Sequence, residues 1–369
     1  MASSEAQDLQ FMRLALRQAI RGRGRTSPNP LVGAVLVRDG KLVAHGYHKR
    51  AGTPHAEINA LAKVHGQAQG ATLYCTLEPC SHHGRTPPCC EAVWRSGVTR
   101  VVVGMIDPNP LVAGRGIRFL EEKGIVVTSG ILAEECRAIN RPFGQWISRG
   151  TPWVIMKAGL SLDGRIAARS GKAAWITNEA SRRHVHQLRD QVDAILIGIG
   201  TAINDDPSLT TRLPGRGHRD PLRVVLDRDL RLSPFARMLH QPSRAGTLIC
   251  CGPQADPGRH QALQAVGAEI VPLELAEDGE LDLPALLLEL GRRQVTSLLV
   301  EGGSRIHGAF WSQGLVHQVN LYYGPLILGA DGVPLLTPLG IDQVEQAPRL
   351  HHLRHHRFGD DLMIEGLVG

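Results

Sequence analysis

Apolar residues follow two rhythms along this chain. Short continuous runs such as Leu31 to Val37 (LVGAVLV) predict strands buried on both faces, whereas Leu9, Met12, Leu16 and Ile20 recur at helical spacing and predict an amphipathic first helix. Beyond them, His55 to Val64 has helical periodicity, and Ala71 to Leu77 and Arg100 to Met105 read as strands around a short helix over Cys89 to Ser96. From Asn140 to Pro152 the pattern loosens into a stretch containing Gly, Pro and Arg, which places a domain boundary near Gly150. The alternation then restarts. Trp153 to Ala158, Ala194 to Ile199, Leu222 to Leu226, Thr247 to Cys250, Ser297 to Val300 and Gln318 to Leu328 read as strands. Helices are expected over Asn178 to Arg189, opened by an Asn cap, and over Pro284 to Leu290, with surface loops at Gly215 to Asp220 and Gln254 to Arg259. Interleaved strands and helices predict an α/β fold in two domains, 1–149 and 150–369.

Composition changes this picture little. With 43% hydrophobic and 21% charged residues among 369, the chain is of ordinary globular type, which excludes disordered and collagen-like classes. The formal charge of +6 is mild, there is no dense Lys/Arg run, and aromatics at 4% leave few platforms for stacking nucleobases. No run reaches the length of a transmembrane span, and the first twenty residues lack the basic leader and apolar core of a secretory signal. Seven cysteines on such a background imply a cytosolic protein whose thiols are ligands or core residues rather than disulfides.

The informative chemistry lies between 55 and 89. His55-Ala56-Glu57 opens a helix pattern, followed by Glu78-Pro79-Cys80 and then, after eight intervening residues, Cys89. One imidazole and two thiolates make three ligands for Zn²⁺ and leave a fourth position for water, the catalytic arrangement. Glu57, two positions from His55, suits a carboxylate that shuttles protons between that water and a departing amine. The set matches the H-x-E and P-C parts of the zinc nucleobase-deaminase signature, with a longer spacing to the second cysteine. The competing readings are a closed structural zinc site, which needs a fourth ligand, and cysteines that are merely buried. Cys90 adjoins Cys89 and points elsewhere on a helix, and His82 and His83 read as loop residues near a pocket mouth.

The segments PNPLVGAVLV, HAEINAL, TLEPCSHHGRTPPCC and DPNPLVAGRG closely resemble the deaminase half of the bifunctional deaminase–reductase family of riboflavin biosynthesis. KAGLSLDGRIA, WITNEA, NDDPSLTTR and VEGGSRIHGAF resemble its reductase half, so the similarity spans essentially the whole chain. In that family the longer cysteine spacing is the rule. The resemblance implies a zinc-dependent, cytidine-deaminase-like domain followed by a dihydrofolate-reductase-like domain that uses NADPH. It also implies His55, Cys80 and Cys89 as zinc ligands, Glu57 as proton shuttle, and Asn29, His48, Arg85, Asp107 and Asn109 around the pyrimidine and its ribose phosphate. Turn chemistry is the competing explanation for Asn29 and Asp107, and the two are compatible.

By itself the second half says less. Val300-Glu301-Gly302-Gly303-Ser304 is a glycine-rich turn between strand and helix patterns, suited to phosphate approach, while Ile203 stands where a third glycine would complete a dinucleotide fingerprint after Gly198 and Gly200. The resemblance implies cofactor contacts at Gly159, Trp175, Thr201, Asp205 and the turn Gly303, Ser304, Arg305, Ile306, His307, Gly308 and Ala309. It implies substrate contacts at Lys157, Ala173, Arg189, Asp205, Leu209, Arg212 and Glu301, with Arg189 and Arg212 suited to a phosphate clamp. Family members often carry Ser where this chain has Ala173, which removes one side-chain hydrogen bond. His351 to His356 reads as an exposed basic segment, and Cys75, Cys136, Cys250 and Cys251 as core residues. The expected activity is hydrolytic deamination of 2,5-diamino-6-ribosylamino-4(3H)-pyrimidinone 5′-phosphate, then reduction of the ribosyl group of the resulting uracil to ribityl. The expected setting is a cytoplasmic homo-oligomer without nucleic-acid or membrane partners. Two rivals stay open at this point: a nucleic-acid deaminase of the tRNA adenosine type, and a zinc-stabilised binding module with a non-catalytic second half.

Overall fold

The computed structural model describes residues 2–81, 87–110, 112–171, 175–215 and 217–369. It divides into two compact units, Met1–Gly150 and Thr151–Gly369.

The first unit is built on a sheet of β1 (Gly33–Arg38), β2 (Lys41–Tyr47), β3 (Thr72–Leu77), β4 (Arg100–Met105) and β5 (Val126–Ser129), in the order β2-β1-β3-β4-β5. The first pairings are antiparallel, whereas β3, β4 and β5 run parallel. Its helices are α1 (Ala2–Ile20), α2 (Ala56–Leu61), α3 (Cys89–Arg95), α4 (Arg115–Glu122), α5 (Ala133–Ile139) and α6 (Arg141–Arg149). Two glycines let helices sit directly on strands. A Cβ on Gly33 would stand 1.9 Å from Ala15 O of α1, and one on Gly46 would stand 2.3 Å from Ala56 O of α2.

The face that α1 buries is displaced from the expected one. Asp8, Phe11, Met12, Ala15, Leu16 and Ala19 are buried, while Ile20 is 42% exposed. The charge enters the core because Asp8 accepts hydrogen bonds from Tyr74 Oη at 2.9 Å and from both terminal nitrogens of Arg100 at 2.8 and 2.7 Å. The stretch from Asn140 also differs from its reading as loosened chain. Arg141–Arg149 is helical, with Pro142 in its first turn, and Gly150 ends it in the left-handed region at φ 71°.

The second unit contains β6 (Trp153–Ser161), β7 (Arg165–Ala167), β8 (Ala194–Gly198), β9 (Leu222–Leu226), β10 (Thr247–Cys251), β11 (Glu269–Pro272), β12 (Ser297–Val300), β13 (Gln318–Gly324), β14 (Val333–Pro334), β15 (Leu350–Phe358) and β16 (Asp361–Val368). All but β7 and β14 form a sheet ordered β11-β10-β9-β8-β12-β6-β13-β16-β15. It is parallel from β11 to β13, and β16 and β15 extend it antiparallel. The helices are α7 (Glu179–Gln191), α8 (Ile199–Asp205), α9 (Pro257–Ala265), α10 (Leu283–Arg292) and α11 (Ser304–Ser312). Successive strand residues feed opposite cores: Ala194 and Leu196 join one with Leu248 and Leu298, while Ile195 and Ile197 join the other with Ile249 and Leu299. That two-sided burial is why these strands read as unbroken apolar runs.

Asn178 caps α7, its Oδ1 accepting from Ser181 N at 3.0 Å. The stretch expected as a loop at Gln254 to Arg259 instead contains the start of α9, where Asp256 accepts from Arg259 N at 2.8 Å. The histidine run is an exposed edge strand, β15. Cys75, Cys136, Cys250 and Cys251 are buried.

Candidate active sites

In the first unit the chemistry gathers where parallel strands β3 and β4 end, the usual place for ligands in such sheets. His55 is the N-cap of α2, Cys80 follows β3, and Cys89 is the first residue of α3. The fold brings their ligand atoms within 4.8 Å of one another. His55 Nδ1 lies 3.2 Å from Cys89 Sγ and 3.5 Å from Cys80 Sγ. Tetrahedral zinc with ordinary bond lengths separates nitrogen and sulfur ligands by roughly 3.6 Å, so the triad fits such an ion. Of the two thiols, Cys80 is the one whose pKa is lowered. The Cys89 thiol donates to it, burial opposes, and His55 and the Cys89 backbone N–H, 3.3 Å away, add to the pull, lowering its pKa to about 4.

Glu57 sits in the first turn of α2, 3% exposed. Burial first, and then the Cys80 charge, push its carboxyl up to about 7 against the pull of His55. Among the described residues its Oε2, buried beside the triad, has no hydrogen-bond partner, and a bound water would satisfy it.

His48 packs edge-on to His55 with ring centroids 5.2 Å apart. Its Nδ1 lies 3.2 Å from Pro54 O and can only donate there, which leaves Nε2 to accept from Asn29 Nδ2 at 3.1 Å. Burial lowers its pKa, so the neutral ring is favoured. Asp107 Oδ1 accepts from Asn109 N at 2.9 Å in the loop after β4. The structure therefore sets Asn29 and His48 beside the metal triad and places Asp107 and Asn109 at the adjoining strand end. Arg85, His82 and His83 lie outside the described residues.

In the second unit a buried charge cluster joins three elements. Glu301, just after β12, meets Lys157 Nζ of β6 at 3.5 Å and is held by Arg189 of α7 through two bonds of 3.0 and 2.9 Å. Burial opposes its charge, but Arg189 and Lys157 outweigh it and hold the carboxyl well below the usual range. Arg212 belongs to the same neighbourhood, its backbone N–H donating to His186 Nδ1 at 3.2 Å. Next to this cluster the glycine turn leads into α11. An added Cβ at Gly303 would meet Thr201 Oγ1 at 3.6 Å, and one at Gly200 would meet nothing within 4 Å among the described residues, so the backbone here stays open to a phosphate.

Two family models match the chain. The cytidine and deoxycytidylate deaminase zinc-binding region covers residues 5–105, and the RibD C-terminal domain covers residues 152–364. The riboflavin biosynthesis protein RibD of Escherichia coli is 41% identical over 98% of this chain and 100% of its own length. The chain belongs to the RibD family. The same named protein of Aquifex aeolicus is 38% identical over 97% of each chain. Solved structures agree: Acinetobacter baumannii RibD superposes with a TM-score of 0.89 at 36% identity, covering 99% of both chains. A diaminohydroxyphosphoribosylaminopyrimidine deaminase/5-amino-6-(5-phosphoribosylamino)uracil reductase from Thermotoga maritima superposes with a TM-score of 0.86 at 33% identity, over 99% of this chain and 100% of its own.

RibD membership makes this a bifunctional enzyme of riboflavin biosynthesis, a deaminase and a reductase in one chain. Its fold pairs a cytidine-deaminase-like unit with a dihydrofolate-reductase-like one, and its cofactors are zinc and NADPH. Among the described residues no helix is long and apolar enough to cross a membrane.

The residues expected around the second site take different positions. Gly159 lies on β6, with an added Cβ 3.6 Å from the Thr177 side chain, and Asp205 ends α8. Trp175 is 74% exposed with the Arg182 guanidinium 4.6 Å over its ring. Leu209 is buried with a backbone φ of 52°, a strained conformation for a branched residue. In the turn, Arg305 is exposed. Ile306 packs against Gly198 and Gly302, His307 is buried, Gly308 abuts Thr337, and Ala309 faces the core. Ala173 lies outside the described residues. Sequence reading gave no role to Glu78, whose carboxylate collects four backbone N–H groups beside the zinc triad. Its only sequence signal is its place two residues before Cys80.

Proposed function

We propose that residues 1–149 deaminate 2,5-diamino-6-ribosylamino-4(3H)-pyrimidinone 5′-phosphate and that residues 150–369 reduce the ribosyl group of the resulting uracil to ribityl. The observation that carries the first step is the buried Glu57 carboxyl, with one oxygen unpaired among the described residues, beside the His55, Cys80 and Cys89 triad. When bound, zinc brings the pKa of a water molecule towards neutrality, and NADPH supplies the hydride for C1 of the sugar. Glu57 takes a proton from the water and returns one to the departing amine. Its buried place beside the triad suits a group that must both accept and donate a proton there. Asn29 and His48 read the polar edge of the pyrimidine, Asp107 and Asn109 hold it from the loop after β4, and Arg85 pairs with the phosphate.

In the reductase site Lys157 and Glu301 face the ribosyl group, with Arg189 fixing the Glu301 carboxylate. Ala173, Asp205, Leu209 and Arg212 complete the substrate side. Gly159, Trp175, Thr201, Asp205 and the turn from Gly303 to Ala309 form the cofactor side. The enzyme works on a small phosphorylated nucleotide rather than on nucleic acid, as a homo-oligomer in the cytoplasm. The scarcity of aromatic stacking platforms supports the choice of substrate.

The test supplies that nucleotide to zinc-loaded protein with and without NADPH and identifies both products by mass. Ammonia released from oligonucleotides but not from the nucleotide would overturn the substrate assignment. Glu57→Gln should keep its zinc and its reductase activity while deamination falls by about 10²–10⁴-fold. Full deaminase activity in that variant would remove Glu57 from the mechanism.

A further inference from the structure

Glu78 is 3% exposed and lies between the end of β3 and Cys80. Its charge is met by main-chain dipoles. Oε2 accepts from Asp107 N at 3.2 Å and Gly114 N at 2.9 Å, and Oε1 accepts from Gly116 N at 2.8 Å and Ile117 N at 3.2 Å. These donors stand at the two feet of one loop. Asp107 is where the chain leaves β4, and the other three lie where it enters α4. Between the feet the loop closes on itself, with Asn109 N on Asp107 Oδ1 and both Val112 N and Ala113 N on Asn109 O, each at 2.9 Å.

The approach is tight as well as charged. A Cβ on Gly116 would stand 2.0 Å from Pro79 O, so the start of α4 rests directly on the Glu78-Pro79-Cys80 segment. One carboxylate thus joins the segment carrying a zinc ligand to the loop carrying Asp107 and Asn109.

We propose that Glu78 is a positioning residue of the deaminase site, locking Asp107 and the start of α4 in register with Cys80 so that the groups holding the pyrimidine and the metal triad share one anchor. This rests on the assignment of Asp107 and Asn109 to the substrate. A carboxylate is the side chain the geometry requires, because it offers acceptors to all four donors. Glutamine turns one of them into an NH₂ group facing N–H groups, and aspartate is one methylene too short to keep all four bonds. The effect is expected on substrate binding, since all four bonds end on the loop side and none on Glu57, His55, Cys80 or Cys89.

The reductase unit of the same chain serves as the internal control. Glu78→Gln is expected to retain one zinc per chain and the wild-type reductase rate. Its KM for the diaminopyrimidine nucleotide should rise about tenfold or more, with kcat changing much less. Glu78→Asp should fall between the two. Gly116→Ala, which lifts the loop off Pro79 with the carboxylate intact, should give the same split.

An unchanged KM in Glu78→Gln overturns the proposal, as does loss of zinc together with a collapse of kcat, which would make Glu78 a support of Cys80 alone. If Glu78→Gln loses reductase activity as well, the chain has misfolded and Gly116→Ala decides: a KM within about twofold of wild type overturns the proposal. Asn109→Ala separates this from the underlying assignment. An unchanged KM there removes Asn109 from the substrate site, whereas a raised KM there beside an unchanged one in Glu78→Gln removes the anchor.

Discussion

Glu301 keeps its charge inside the second unit because Arg189 and Lys157 reach it together. Replacing it with glutamine leaves two buried cations facing a neutral amide, at a cost of about 3–5 kcal/mol. Denaturant unfolding of Glu301→Gln should show that loss, and NADPH oxidation should fall with it while zinc-dependent deamination persists. The histidines nearby impose a pH window. Burial first, and then Lys157, lower His307 to about 4; burial, Arg189 and Arg212 do the same for His186. Glu301 pulls the other way on both. A base depressed in the folded state takes up its proton more readily unfolded. The stability involved is complete above pH 6.5 and is lost as the pH falls towards 4. Glu301 acts lower, contributing stability above the ordinary carboxylate pKa that disappears on further acidification. In unfolding titrations between pH 7.5 and 4 stability should fall on acidification, with the slope reduced by about one proton in His307→Gln. An identical slope in the variant would mean that His307 protonates freely in the folded protein.

Helix α2 supplies both a zinc ligand at its cap and the proton shuttle in its first turn, so its seating on β2 sets the deaminase geometry. Gly46 is the residue that permits that seating. A methyl group there would be 2.3 Å from Ala56 O and 2.5 Å from Ala60 N, both backbone atoms. Gly46→Ala should destabilise the first unit by about 1–3 kcal/mol. Because the displaced helix carries His55, zinc affinity should weaken by about tenfold or more, read by competition with a chelator. Element positions were largely legible. β9 and β12 fall where the apolar runs placed them, and α7 begins one residue after its Asn cap. Three misjudgements have a common origin. The α1 face, the helix α6 and the start of α9 each include polar or helix-breaking residues that local pattern counts against burial or helix. Asp8 is buried because Tyr74 and Arg100 come to it from strands β3 and β4, and Pro142 and Pro257 are harmless in a first turn.

Each unit has its own closed core, one around α1 and β1–β5 and a pair on the two faces of the larger sheet. That organisation predicts that residues 1–150 and 151–369, expressed separately, each unfold cooperatively and each keep one half-reaction. Calorimetry and the two assays check this; a piece that is unfolded alone would show that its core is incomplete. Chelation should abolish deamination in the whole protein and leave the reduction of the uracil intermediate at its original rate, since the zinc triad lies wholly within the first unit.

The sequence by itself determined the residue types and their order: a histidine, a glutamate and two cysteines in the order of the deaminase signature, and a strand-rich second half with a glycine turn. These are local or motif-level properties, and composition and periodicity carry them. Only the tertiary structure decided what meets what. It placed Cys80 and Cys89 against His55 although 25 and 34 residues separate them from it. It put Arg189 on Glu301 across 112 residues, and it closed the loop after β4 around the Glu78 carboxylate. Partners so far apart along the chain leave no periodic trace, because their encounter depends on which strands become neighbours in a sheet and not on the residues beside them.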